Sequence, residues 1–235
     1  MNESSYRAQP VSFVRRGSRL QGRRQKAWED HSEFYLIEVP RLVADTSVDP
    51  EYRFDPRTVY GRDAELVVEI GSGLGEAIVQ AATDHPERDF LAVEVYLPGL
   101  AQTIQRAAAK ELSNLRVVQA NAPEVLKTMI PAASLAEVWT FFPDPWPKSR
   151  HEKRRLVTPS FAELVAEALA PGGLWRLATD WDHYAEQMLE VGTGSSLKNL
   201  HDSWAPRFDG RVVTSFENKA LEAGREIHDL EFRKD

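Results

Sequence analysis

Cysteine is absent from this chain of 235 residues. Without thiols there can be no disulfide, no thiolate metal site and no cysteine nucleophile, so catalysis must use other groups. The six histidines show no i, i+4 pair or other ligand spacing, and we expect no metal. Long apolar runs are also lacking: no stretch approaches membrane-spanning length, and the N-terminus has no segment suited to secretion. We expect a cytoplasmic protein that does not contact a membrane.

Net positive charge is lacking as well, because 36 acidic residues outnumber 29 basic ones and give a formal charge of −7. The basic residues are nevertheless concentrated. Six lie within residues 15–26, where there is no acid, and five lie within residues 148–155, where Glu152 is the only acid. Since screening makes the local field matter more than the total, such patches can hold a phosphate backbone. The charge therefore argues against indiscriminate binding but not against RNA as a partner.

The hydrophobic content of 42% is sufficient for one full core, and a second complete domain would be crowded. We divide the chain into a basic N-terminal arm with an irregular cap, residues 1–60, and an α/β domain, residues 61–235. We expect residues 1–30 to be mobile without a partner. Prolines at 40, 50 and 56 interrupt any long helix in the cap.

A glycine-rich loop follows the first predicted strand, residues 66–70, and precedes a helix. Gly71 and Gly73 let the backbone approach a ligand closely, and the helix N-terminus offers unpaired N–H groups, although an ordinary tight turn would have the same pattern. Glu69 beside the loop repels pyrophosphate but can pair with a cation. S-adenosylmethionine has an ammonium, a sulfonium and no phosphate, and the pattern favours it as cofactor.

The next two strands end in polar side chains. Glu94, at the end of residues 90–95, is placed to accept hydrogen bonds from both hydroxyls of a ribose, or it is a solvated acid at the strand end. Asn121 follows residues 115–119. It could contact the edge of adenine or cap a helix, and the sequence favours neither role.

The most distinctive stretch is residues 141–156, FFPDPWPKSRHEKRRL. A buried strand over residues 135–142 would place Asp144 at the ligand-binding edge of a parallel sheet, and three prolines then stiffen the loop. The basic side chains that follow suit phosphate recognition, although a solvated surface loop is the alternative. They are Lys148, Arg150, Lys153, Arg154 and Arg155.

The remaining candidates lie near the C-terminus. The strand over residues 174–178 leads to Asp180, which could cap the next helix, contact substrate, or do both. Thr214 and Glu217 have the S/T-x-x-E spacing of a capping box. A final strand over residues 227–232 and a sixth near 197–200 give a seven-stranded sheet.

Together these stretches resemble the bacterial tRNA (guanine-N7-)-methyltransferases, a branch of the class I S-adenosylmethionine-dependent methyltransferases. The resemblance covers nearly the whole chain, and PDPWPK followed by RHxKRR is specific to this family. It implies a Rossmann-like α/β fold: a seven-stranded, mostly parallel sheet with an antiparallel final strand and helices on both faces. The motifs are SFVRR at 12–16, VEIGSGLGE at 68–76, AVEVYLPG at 92–99, residues 141–156, LATDW at 177–181 and TSFENKALEAGREIHDLEF at 214–232.

The resemblance implies methyl transfer from S-adenosylmethionine to N7 of a guanosine in the tRNA variable loop, position 46 in tRNA numbering. It assigns cofactor contacts to Glu69, Glu94, Asn121 and Asp144, and tRNA contacts to Lys148, Asp180 and residues 214–217. Many relatives have an acid where this chain has Asn121. Because N7 carries no proton, we expect Asp144 to orient guanine and stabilise positive charge. The alternatives are a methyltransferase for another nucleobase or an amine, and a non-catalytic RNA-binding protein on this scaffold.

Overall fold

A computed structural model describes residues 19–42 and 46–235. The described chain forms two compact units, residues 19–131 and residues 132–235. Its seven strands form one mixed sheet in the order β3-β2-β1-β4-β5-β7-β6, which confirms the predicted fold class. The expectation of mobility for residues 1–18 lies outside the described residues.

The first unit contains three parallel strands, β1 (Leu66–Ile70), β2 (Asp89–Glu94) and β3 (Leu115–Gln119). They are almost entirely buried, as their apolar sequences predict for strands covered on both faces. The helices of this unit are α1 (Gly22–Tyr35), α2 (Pro56–Tyr60), α3 (Glu76–Asp84), α4 (Leu97–Ala109) and α5 (Ala122–Glu124), the last followed by a π-helical turn, Val125–Met129.

Helix α1 differs from the expected mobile arm and irregular cap, because it runs across the boundary at residue 30 and packs on α4. Only Ala27 and Tyr35 of its fourteen residues are buried. Arg24 Nε donates to Gln102 Oε1 at 3.0 Å, which attaches the helix to α4. A helix with so narrow an apolar face has no periodic pattern that would reveal it.

The segment after α1 covers the open edge of β3. Ile37 N–H donates to the Val117 carbonyl at 2.8 Å, and Val48 N–H donates to Glu124 Oε2 at 2.7 Å. An uncovered edge strand would expose unpaired backbone groups. The segment is irregular here, and it is attached to β3 through the Val117 carbonyl and to the following helix through the Glu124 side chain.

The second unit contains β4 (Leu135–Phe141), β5 (Leu169–Thr179), β6 (Lys198–Asn199) and β7 (His228–Arg233). β5 is parallel to β4, and β7 is antiparallel to both β5 and β6. β5 begins five residues before the predicted start at 174, since residues 169–173 continue the strand through a register irregularity opposite β4. The other elements of this unit are a 3-10 turn (Ser149–Arg154), α6 (Pro159–Ala168), α7 (Asp182–Thr193) and α8 (Ser215–Glu222).

Within these described ranges, no helix is long and apolar enough to cross a membrane.

Candidate active site

The glycine loop between β1 and α3 requires its glycines. Gly71 and Gly73 have φ values of 72° and 56°, a left-handed region that other residues rarely adopt. The Gly71 N–H donates to the Val93 carbonyl at 2.8 Å, which holds the loop against the end of β2. A Cβ on Gly99 would lie 2.3 Å from the Gly73 carbonyl oxygen, so α4 also begins in direct contact with the loop. The backbone of the glycine loop therefore lies close to the end of β2 and to the start of α4, at the place where the sequence predicted ligand binding.

The Glu94 side chain is hydrogen-bonded to this loop. Its Oε2 accepts a hydrogen bond from the Gly73 N–H at 2.8 Å, and its Oε1 accepts from the N–H groups of Val95 and Tyr96 at 2.7 and 2.9 Å. The side chain is half-buried. It is thus held in one orientation beside the glycine loop, which is not how an acid solvated at a strand end would lie.

Glu69 is buried at the end of β1, with 4% of its surface exposed. Its Oε2 has no hydrogen-bond partner among the residues that the structure describes. Burial raises the pKa of Glu69 to about 8; a hydrogen bond from the Ile78 N–H opposes this shift, and the nearby charge of Glu94 adds to it. A cation beside this carboxyl would favour the ionised form.

Asn121 is completely buried, and its side chain does not cap the helix that it precedes. Its backbone N–H donates to the Thr46 carbonyl at 2.7 Å, but neither its Oδ1 nor its Nδ2 has a partner in the described part of the chain. Ser72 Oγ, in the glycine loop, is also buried without a partner. Unpaired buried polar atoms are costly, so these groups fit a polar ligand such as a nucleoside better than a role in the core.

Asp144 lies in an exposed loop of the second unit. The residues around it have strained backbone, with φ of 50° at Phe142 and 44° at Trp146. Across residues 19–42 and 46–235, no group donates a hydrogen bond to its carboxylate. Asp144 is therefore exposed to any substrate, and its position depends on the backbone of the loop.

The basic cluster after Asp144 separates into exposed and buried members. Lys148 and Arg150 are exposed, as phosphate contacts require, and the Arg154 guanidinium lies 4.9 Å from the centre of the Trp146 ring. Arg155 is different, because only 1% of its surface is exposed. The interpretation of Arg155 as part of a phosphate-binding surface is wrong: long-range contacts bury it, and no sequence pattern indicates them.

Asp180 follows β5 but does not cap α7, whose first flanking residue is Trp181. Its Oδ2 instead accepts a hydrogen bond from Arg225 Nε at 2.7 Å in a partly exposed ion pair. Of the two predicted roles, capping is not observed, and the side chain remains accessible.

Thr214 caps α8, since its Oγ1 accepts a hydrogen bond from the Glu217 N–H at 3.2 Å. Glu217 itself is 1% exposed, and its carboxylate accepts from Arg207 at 2.8 Å and Arg211 at 3.2 Å. Arg211 also binds Asp229, so Glu217, Arg211 and Asp229 form a buried ionic network that the exposed Arg207 joins from the surface. Burial alone would raise the pKa of Glu217, but the hydrogen bonds from the two arginines lower it. The S/T-x-x-E spacing predicts a helix cap and does not indicate that Glu217 binds Arg207 and Arg211.

The sequence relationships agree with this geometry. A methyltransferase family model, Methyltransf_4, matches residues 63–230. A curated tRNA (guanine-N(7)-)-methyltransferase from Paenarthrobacter aurescens (strain TC1) is 51% identical, over 98% of this chain and 93% of the relative. The chain belongs to the tRNA (guanine-N(7)-)-methyltransferase family. The resemblance predicted from the motifs is confirmed.

The fold of this tRNA (guanine-N(7)-)-methyltransferase family member is similar to that of other methyltransferases of known structure. The 16S rRNA methyltransferase KamB matches with a TM-score of 0.58 at 17% identity, covering 77% of this chain and 94% of KamB. The 16S rRNA (adenine(1408)-N(1))-methyltransferase from Catenulisporales acidiphilia, solved with its cosubstrate SAM, matches with a TM-score of 0.55 at 17% identity, covering 80% and 92%. At this identity the likeness shows the fold alone.

Proposed function

We propose that this protein transfers a methyl group from S-adenosylmethionine to N7 of a guanosine in tRNA, in the cytoplasm, and that the guanosine is the one at variable-loop position 46. Family membership supports the reaction. The observation that carries the proposal is the state of Asn121, whose buried amide, just after β3, has no hydrogen-bond partner within the described residues; the glycine loop follows β1 of the same set of parallel strands. Such a group is expected where a nucleoside binds.

The residues of the first unit fit the cofactor. Gly71 and Gly73 would admit it to the loop, Glu94 would accept hydrogen bonds from its ribose hydroxyls, and Asn121 would bind its adenine. Glu69 would pair with its positive charge, because a cation favours the ionised form of a buried carboxyl. When bound, S-adenosylmethionine supplies a methyl group on a sulfonium, which an uncharged nucleophile can attack.

Asp144 is proposed to act on guanine and not as a base. N7 has a lone pair and no proton, so no hydrogen has to be removed before attack, and the product base is cationic. A carboxylate that faces the guanine ring would orient it and stabilise the positive charge that develops. The exposed carboxylate, to which no group of the described chain donates a hydrogen bond, is available for this role.

The tRNA would be held by side chains of the second unit. Lys148 and Arg150 are exposed and would bind phosphates together with Arg154. Asp180 and Thr214 are accessible enough to contact the nucleotide directly. Glu217 would have a positioning role, because a carboxylate that is 1% exposed and bound by arginines acts through its neighbours.

The Asp144→Asn variant tests the reaction. We expect kcat to fall about 10²- to 10³-fold, the usual effect of removing one electrostatic contact to a transition state, with the Kd for S-adenosylmethionine nearly unchanged. Asp202→Asn, at an exposed residue of the same unit, is the control. The assay measures transfer of label from S-adenosylmethionine to unmodified tRNA, and strand scission at 7-methylguanosine locates the methylated base.

Two outcomes would contradict the proposal. Equal losses of turnover and cofactor affinity in Asp144→Asn would make Asp144 a cofactor-binding group. Methyl transfer without scission at 7-methylguanosine would place the methyl group on another atom, and a rate that rises steeply with pH as a base titrates would favour that alternative.

A further inference from the structure

We propose that Arg155 is a positioning residue for Asp144: it holds the proline-rich loop to helix α7 through the carbonyl group next to Asp144. This inference rests on the proposed function, since it needs Asp144 to act on the substrate. The buried guanidinium and its contacts carry it.

The first contact is with the loop itself. Arg155 Nε donates a hydrogen bond to the carbonyl oxygen of Pro145 at 2.8 Å. That carbonyl belongs to the residue directly after Asp144, so a shift of the guanidinium is transmitted to the acid across one peptide unit. Arg155 is ten residues away in sequence, and the bond closes the intervening chain into a loop.

The other contacts are with α7. Arg155 Nη1 donates to Gln187 Oε1 at 2.7 Å and lies 3.0 Å from His183 Nδ1, which must be the acceptor because a guanidinium has no acceptor atom. The guanidinium also lies 4.9 Å from the centre of the Tyr184 ring. Gln187 Nε2 then donates to the Val157 carbonyl at 2.9 Å, so the backbone beyond Arg155 is attached to the same helix. Arg155 thus connects the loop to a regular element.

The loop needs such an external contact. Pro143, Pro145 and Pro147 have no N–H to donate, so few backbone hydrogen bonds can form within it. Left-handed backbone at Phe142 and Trp146 is strained and persists only where surrounding contacts enforce it. No hydrogen bond from the described chain holds the Asp144 carboxylate. The position of Asp144 therefore depends on the hydrogen bond that Arg155 donates to the carbonyl of the next residue, Pro145.

An ion pair does not explain this arginine. The carboxylate nearest to it, Glu152, is 3.8 Å away and partly exposed, so the buried charge has weak electrostatic compensation. The donors of the guanidinium go instead to the Pro145 carbonyl, Gln187 Oε1 and His183 Nδ1, which an apolar side chain would leave without a partner. A lysine could not replace it either, because a single ammonium cannot reach the loop carbonyl and α7 with the planar fork of a guanidinium.

The test is a double-mutant cycle with Arg155→Lys and Asp144→Asn in the full-length protein. Arg155→Lys keeps the positive charge but removes the planar guanidinium with its several donors. We expect kcat to fall about 10²-fold, as for a misplacement of about 1 Å. KM for tRNA and Kd for S-adenosylmethionine should stay within about threefold of the wild-type values. In the Asp144→Asn background the same substitution should have no further effect on kcat, because Arg155 acts through the missing carboxylate. Arg116→Lys changes another largely buried arginine that binds backbone carbonyls, in the other unit, and serves as the control.

The outcomes separate this inference from the proposed function. An equal fold loss in both backgrounds, or an unchanged kcat in Arg155→Lys, would overturn the positioning role while leaving the methyl transfer intact. If Asp144→Asn had full activity, the assignment of Asp144 would fail, and the positioning role with it. Should Arg155→Lys not fold, Gln187→Leu removes the acceptor on α7 with Arg155 in place, and the cycle is run with that variant; additive effects there would equally reject the inference.

Discussion

Glu69 carries an unusual ionisation state for an acid at the end of a strand. Its pKa of about 8 results from burial first, and from the charge of Glu94, against one backbone hydrogen bond. In the unfolded chain the same group would titrate near 4.5. The folded protein therefore binds this proton more tightly than the unfolded chain, so the stability that it contributes is complete below pH 4.5 and is lost as pH rises towards 8.

The Glu69→Gln variant should remove this pH dependence. Glutamine is neutral at every pH, so the variant should become more stable than wild type as pH rises from about 4.5, by on the order of 3 kcal/mol at pH 7 and with no further gain above pH 8. Thermal unfolding without cofactor between pH 5 and 9 measures the difference. Glu163→Gln, at an exposed carboxyl on α6, is the control. A constant difference between Glu69→Gln and wild type across that range would show that the carboxyl is ionised throughout.

Basic residues that lie close together in the sequence have different roles, and the sequence alone could not distinguish them. Lys148, Arg150 and Arg155 belong to one basic run, yet two are exposed and one is buried. The difference arises from His183, Gln187 and the other residues of α7, about thirty positions away, whose partners no local pattern specifies. Predicting that the run bears charge required composition alone, whereas predicting which charge is buried required the tertiary contacts.

At the scale of elements, the sequence was most informative where burial is continuous. β1, β2 and β3 were predicted to within one or two residues, because strands covered on both faces are apolar throughout. Helix α1 was missed because its stability depends on few apolar contacts and on polar bonds such as that between Arg24 and Gln102. β5 was predicted too short, since Pro171, Gly172 and Gly173 usually end an element and here lie within a strand irregularity.

Helix α8 tests whether a residue can cap a helix and contact tRNA at the same time. Thr214→Ala removes the cap and should destabilise the protein by about 1 kcal/mol, or roughly 2–4 °C in Tm. Thr214→Asn keeps a good cap, so Tm should recover. If Thr214 also touches tRNA, as we propose, KM for tRNA should stay raised in the asparagine variant. Recovery of both Tm and KM in Thr214→Asn would leave capping as its only role.

For the whole molecule, the proposed cofactor residues Glu69, Glu94 and Asn121 belong to the first unit, and the proposed tRNA residues belong to the second. The two ligands also differ in the physical basis of binding. The cofactor residues are buried or half-buried, where salt has little effect, whereas Lys148 and Arg150 are exposed, where salt screens strongly. A protein with a formal charge of −7 repels RNA in general and depends on these local cations to hold it.

Salt titration should therefore distinguish the two kinds of binding. The affinity for tRNA should fall steeply with salt, because each phosphate contact releases counterions, while the affinity for S-adenosylmethionine changes little. The double variant Lys148→Gln and Arg150→Gln should reduce the slope of log K against log salt by about 1.4–1.8, since each contact contributes roughly 0.7–0.9. Lys110→Gln, at an exposed lysine outside both basic segments, should leave the slope unchanged. An unaltered slope in the double variant would mean that other cations hold the tRNA, because a contact that releases no counterion is not a contact with phosphate.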